Sequence, residues 1–133
     1  MTAFDLANDW LRYAKSDLVT AKQMFYNVNP KETEISCYHT QQCAEKSLKA
    51  FLISKNIEPP RTHDLLELNN LCMLYEPDFL SLKQHCVHLN PYGVAVRYPN
   101  ELVVDDIIAK SAIDKAQVIY DYCNEKIGLD EEG

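Results

Sequence analysis

Apolar and small residues recur along this chain at steps of three and four, the spacing that turns one face of an α-helix towards a core. Trp10, Leu11, Ala14, Leu18, Ala21 and Phe25 form the first such stripe. It predicts a helix from about Asp5 to Asn27, with Arg12, Lys15 and Lys22 on the other side and Asp5 and Asp9 at the end where the helix dipole favours carboxylates. A second stripe runs through Ile35, Tyr38, Gln41, Ala44, Leu48, Phe51 and Leu52, in a stretch from Ile35 to Ile53 without Gly or Pro. Asn29 suits a cap, Pro30 the first helical position and Glu32 the third position of a capping box. The helix should end near Lys55 and Asn56, since Glu58-Pro59-Pro60 forbids its continuation. Asp64 and Glu67 have the spacing of a cap and its third residue ahead of Leu65, Leu68, Leu71 and Cys72, which predicts a short third helix. Glu76-Pro77-Asp78 opens a fourth, carrying Leu80, Leu82, Cys86 and Leu89 and closed by Asn90-Pro91. A fifth, from about Val103 to Ile127, is read with Val104, Ile107, Ile108, Ser111, Val118, Ile119 and Tyr122 inward, Gly128 as its stop and 129–133 as a short acidic tail.

No segment alternates apolar and polar positions in the manner of a strand, so the expected fold is all-α, an up-and-down bundle of about five helices in one domain, 1–133. Composition agrees: 47% hydrophobic residues with only 3 Gly and 6 Pro in 133 residues suit a helical protein with a core of its own. No apolar run reaches the ~18–20 residues needed to cross a bilayer, which argues for a cytoplasmic protein with no membrane partner. The 5 cysteines, an odd number without a Cys-x-x-Cys pair, read as reduced core thiols.

Charge narrows the partners. The net charge of −7 is carried entirely by the second part of the chain: residues 1–60 hold seven cations against seven carboxylates, residues 61–133 six against thirteen. General affinity for nucleic-acid backbone needs clustered cations and is not expected, although a local phosphate pocket is compatible with the pattern.

Three places carry candidate chemistry. In the second helix, Gln41, Gln42 and Glu45 lie near the core boundary and need partners; Gln41 with Glu45, and Glu45 with Lys49, are one turn apart. They make either a local boundary network or a functional polar cluster. Arg61-Thr62-His63-Asp64 precedes a helix N-terminus, where backbone N–H groups attract anions; equally, Thr62 or Asp64 caps and His63 packs. The connection from Asn90 to Asn100 is too rich in Pro and Gly for helix, and its Arg97, flanked by Tyr92 and Tyr98, could hold a phosphate while a base stacks on a ring, or could bind backbone carbonyls. His85 and His88 are spaced by three, but no third ligand follows at zinc spacing; no metal or other cofactor is expected.

Trp10-Leu11, Tyr13-Ala14 and Asp17-Leu18, then Tyr38-His39-x-Gln41-Gln42-x-Ala44-Glu45-Lys46-x-x-Lys49-Ala50, Pro60-x-Thr62-His63-Asp64-Leu65, Leu89-Asn90 and Arg97-Tyr98-Pro99 together resemble the HEPN domain (higher eukaryotes and prokaryotes nucleotide-binding) over nearly the whole chain. The resemblance implies a four- or five-helix bundle that commonly forms a homodimer and is often encoded beside a minimal nucleotidyltransferase in a toxin–antitoxin-like pair. It also implies, for many members, metal-independent RNA cleavage by Arg-x(4–6)-His at the start of the last long helix. This chain departs from that motif: Arg97 is followed at the relevant spacing by Leu102, Val103 and Val104, and no histidine occurs after His88. Cleavage without metal needs a base of near-neutral pKa, which valine cannot supply. The expectation is therefore a non-catalytic nucleotide-binding or interaction module, with Arg97, Tyr98, His63, Lys46 and Lys49 as its polar surface and a nucleotide or a nucleotidyltransferase as partner. The alternative is a diverged ribonuclease toxin using His39 or His63 as base.

Overall fold

The computed structural model describes residues 1–94 and 104–132, with backbone alone for 129–132. Among these, five α-helices, α1 (Ala3–Tyr26), α2 (Thr33–Ser54), α3 (Leu65–Tyr75), α4 (Lys83–Leu89) and α5 (Asp106–Glu132), are joined by 3-10 turns at Pro77–Leu82 and Asn90–Gly93. The all-α bundle expected from the pattern is what forms. α2 is its axis: α1 packs along its length, α5 lies against both, and α3 and α4 pack against α2 from the far end of the chain path.

The α1 stripe is buried at Ala7, Leu11, Ala14, Leu18, Ala21 and Phe25. Those steps of four and three make the a/d seam of a two-helix coil, with three alanines that let the α2 backbone come close. Trp10 sits beside the seam, only partly buried. α1 begins earlier than the stripe predicts because Thr2 and Asp5 form a capping box, Thr2 Oγ1 accepting from the Asp5 N–H at 3.1 Å and Asp5 from the Thr2 N–H at 3.0 Å. On α2 the facing residues are small and polar: Ser36 and Ser47 bury their hydroxyls by donating to the carbonyls of Ala21 and Cys43, both at 2.8 Å. Phe51, Phe79 and Tyr122 pack ring against ring, tilted and then edge-on, with centroids 4.5 and 4.9 Å apart, tying α2, the Pro77–Leu82 turn and α5 into one core.

Four expectations are corrected. α2 starts at Thr33 with Glu32 in the cap position and no side-chain cap, not at Pro30 behind Asn29. The chain there folds back on α1 instead, the Glu32 N–H donating to the Met24 carbonyl at 2.9 Å. The predicted fourth helix is a 3-10 turn followed by a short α-helix; Phe79 is buried and Leu80 exposed. α5 turns Ala109, Ala112, Ile113, Ala116, Ile119, Cys123 and Ile127 inward, whereas Ile107, Ile108 and Val118 face outward. Of the line read as inward, Ile119 is buried and Val104 and Tyr122 pack half-buried against the core, but the inward side also takes small residues where α5 approaches α1 and α2, which the larger apolar residues did not mark. Gly128 does not stop α5, which continues to Glu132.

Two helix ends position the site. α2 closes with Asn56 in the left-handed region (φ 62°), its N–H donating to the Ile53 carbonyl at 2.9 Å and that of Ile57 to the Leu52 carbonyl at 3.0 Å. This is a Schellman cap with Asn in the place usually taken by Gly. α3 opens on Asp64, which accepts from the Leu66 N–H at 2.9 Å and from Asn90 Nδ2 at 3.1 Å, while Asn90 Oδ1 accepts from the Leu65 N–H at 2.9 Å. The Asp64 cap read from the sequence is therefore present and is held from α4's end as well.

Candidate functional site

His39, Gln42, Lys46, Lys49 and Ile53 follow one another at steps of three and four, so they share one side of α2. The polar members of that stripe are organised by two carboxylates of low exposure. Asp17, on α1, accepts from Lys46 Nζ through Oδ2 at 2.6 Å and from His39 Nδ1 through Oδ1 at 2.9 Å. Glu45, whose side chain is 7% exposed, accepts from Lys49 Nζ through Oε2 at 3.1 Å and from His63 Nδ1 through Oε1 at 2.9 Å. The Lys49 side chain is itself only 9% exposed, so its charge depends on Glu45 for compensation.

Gln41 extends the second cluster. Its Nε2 donates to Glu45 Oε1 at 3.3 Å and to the His63 carbonyl at 3.0 Å, and its Oε1 accepts from Gln42 Nε2 at 2.7 Å. Gly93 lies directly against this amide: a Cβ there would sit 3.0 Å from Gln41 Cδ, so a larger residue would have to shift the Gln41 side chain. The boundary network predicted for Gln41, Glu45 and Lys49 is thus formed and reaches the segment before α3.

The five predicted site residues divide three ways. Lys49 and His63 come together on Glu45; the imidazole of His63 remains 78% exposed. Lys46 belongs to the other cluster, with Asp17 and His39. Arg97 and Tyr98 lie outside the described residues. On either side of the undescribed part, Gly93 lies beside Gln41, and the Val104 carbonyl accepts from Thr33 Oγ1 at 3.1 Å at the start of α2. Among the described residues no group of three or more His, Cys, Asp or Glu is placed to hold a metal. His85 is held below the usual histidine range by its burial first and then by the nearby charges of Lys115 and His88.

The sequence did not reveal a cleft of about 660 Å3 at the end of the α2 stripe, bounded by the first turns of α1 and the chain after α2. Trp10, Lys49, Ile53, Pro60 and Arg61 line it, with Glu58 on the same wall. The one available signal was the combination of Trp10, half in and half out of the α1 stripe, with the Pro59-Pro60-Arg61 stop. The five thiols, Cys37, Cys43, Cys72, Cys86 and Cys123, are free and buried, as expected for core residues. Burial pushes Cys37, Cys43 and Cys86 up to about 12 and raises Cys72 and Cys123 well above the ordinary thiol range, which disfavours the nucleophilic thiolate.

Among solved structures, the chain is similar to the protein TT1696 from Thermus thermophilus, with 25% identity and a TM-score of 0.73, over 90% of this chain and 97% of that one. It is similar also to ST0689, an archaeal HEPN homologue, with 26% identity and a TM-score of 0.72, over 91% of this chain and 97% of that one. A search of curated proteins gives no significant match. The profile of the HEPN domain matches residues 7–126, which takes in most of α1, all of α2 to α4 and most of α5, and the chain belongs to the HEPN domain family.

Proposed function

We propose that this chain is a nucleotide-binding or protein-interaction module that does not cleave RNA by the family's usual Arg-x(4–6)-His mechanism, that it acts as a homodimer, and that it works beside a minimal nucleotidyltransferase in a toxin–antitoxin-like pair. The observation that carries the reading is the ordered polar stripe of α2. Lys46 and Lys49 each use one ammonium proton on a carboxylate and have further donors, and His39 and His63 are hydrogen-bonded to the same two carboxylates beside them. Such groups bind an anion without first having to be ordered. The missing histidine after His88 removes the base that the usual mechanism requires.

A diverged metal-independent ribonuclease is the second reading. It is favoured by one observation: His39 and His63 are each gripped through Nδ1 by a carboxylate, the arrangement that fixes the tautomer of a histidine base.

Thermal melting with ATP, GTP, CTP and UTP decides first, since a ligand of the folded state adds ~2.7 kcal/mol at a hundred times its Kd. At least one nucleotide is expected to raise the melting temperature, and RNA incubated with the protein is expected to remain intact. RNA cleavage lost on His39→Ala or His63→Ala would establish the second reading and end the first.

A further inference from the structure

We propose that the cleft between the first turns of α1 and the chain after α2 is the site of a single nucleotide, its base against Trp10 and its phosphate between Lys49 and Arg61. This rests on the nucleotide-binding reading and gives it a place and a ligand class.

The volume of about 660 Å3 falls within the ~300–1,000 Å3 of small-molecule sites and is well matched to one nucleotide. Its lining combines a flat aromatic surface, an apolar wall of Ile53 and Pro60, and two cations. Trp10 is partly buried, so its orientation is set by the core behind it while part of the indole still reaches the cleft. A ring so fixed offers stacking to any base at little cost in side-chain entropy. Arg61 is exposed and makes no hydrogen bond or ion pair among the described residues, so its planar fork of donors is available for a phosphate. Lys49 approaches from α2, with Glu45 taking only one of its donors. Glu58 is the opposing charge in the lining and Glu45 already offsets Lys49, so Arg61 is the cation without a carboxylate partner among the described residues.

Apart from Arg61, the lining comes from the first part of the chain, where cations and carboxylates are equal in number. With one unpaired guanidinium in its lining, the cleft suits the few charges of a single nucleotide and lacks the clustered cations that a phosphate polymer needs. The Schellman cap at Asn56 holds the turn that brings Pro60 and Arg61 opposite α1, so the site is built into the fold.

The chain has 1 tryptophan, and it lies in this cleft. Its fluorescence, excited beyond the absorption of the bases, therefore reports on this site, while the melting temperature reports on binding anywhere. Titration with nucleoside monophosphates and triphosphates is expected to change the Trp10 emission in a saturable way. Arg61→Ala should weaken that binding roughly tenfold or more and leave the melting temperature of the unliganded protein unchanged. The corresponding nucleosides, lacking phosphate, should bind far more weakly. A nucleotide that raises the melting temperature without altering Trp10 emission, or that binds Arg61→Ala as well as the parent, would place the ligand elsewhere and overturn the cleft assignment alone. Binding of nucleosides as tight as that of nucleotides would remove the phosphate role and the assignment with it. If no nucleotide changes either readout, the assignment and the nucleotide-binding reading both fail.

Discussion

Asp64 and His63 are neighbours in the chain but do different work. Asp64 closes the first turn of α3 and receives Asn90, so its loss leaves the Leu66 N–H and the Asn90 amide without their acceptor. His63 gives one hydrogen bond to Glu45 from a largely exposed ring. Asp64→Ala is therefore expected to cost ~1 kcal/mol, a drop of a few degrees in melting temperature, and His63→Ala less. A larger loss for His63→Ala in thermal unfolding would mean that the Glu45 cluster, and not the cap, fixes this segment. The same residues mark how far sequence reading reaches. The Asp64 cap and the Gln41–Glu45–Lys49 ladder were legible because each is set by spacing within three or four residues. Asp17 with Lys46 and His39, and Glu45 with His63, were not, because the partners stand 29, 22 and 18 residues apart and meet only once the bundle has formed.

The helices themselves were legible where burial is one-sided. α1 is amphipathic, and its stripe emerged with its seam correctly placed; α5 is apolar on two sides, and of its larger residues Ile119 marked the inner side while Ile107, Ile108 and Val118 pointed to the outer one. Bundle packing selected the alanine-rich side because close backbone approach, more than residue hydrophobicity, decides which face goes in. Gly128 shows the same limit: a glycine near a helix end reads as a stop, yet α5 passes through it. A Cβ at Gly128 would meet nothing within 4 Å, so Gly128→Ala is expected to stabilise the protein by ~0.5–1 kcal/mol through helix propensity alone. Gly93→Ala should do the reverse, since its Cβ would press on Gln41 at 3.0 Å. Denaturant midpoints that fall for Gly128→Ala would show that the last turns of α5 do not form.

At the scale of the molecule, the core carries five thiols whose ionisation burial opposes, and this gives stability a pH dependence of definite sign. Their folded values are raised, to about 12 for Cys37, Cys43 and Cys86, above the ordinary ~8.5. In that case the unfolded chain releases protons first: stability is intact below pH ~8.5 and falls as pH rises from there towards 12, by up to ~1.4 kcal/mol per pH unit for each thiol. Urea unfolding at increasing alkaline pH, under reducing conditions, should show that decline, and replacement of Cys86 by Ala should flatten it. The outer side of α5 bears on the proposed homodimer. Ile107, at 80% exposure, lies with Ser111 and Val118 on one side of α5, with Ile108 beside them, in a protein whose inner face needs none of these side chains. Exposed apolar side chains of this kind, with Ser111 and Asp114 between them, have the mixed character of an interface of ~800 Å2 per partner. If two copies meet there about a two-fold axis, each position occurs twice in the contact, so one substitution introduces two charges. Light scattering of the parent is expected to give the mass of two 15.3 kDa chains, and Ile107→Lys with Val118→Lys that of one, with helical content by circular dichroism unchanged because both side chains leave the core untouched. A parent that scatters as a single chain across a wide concentration range would remove the dimer, and a doubly substituted protein that still scatters as two would move its interface away from α5.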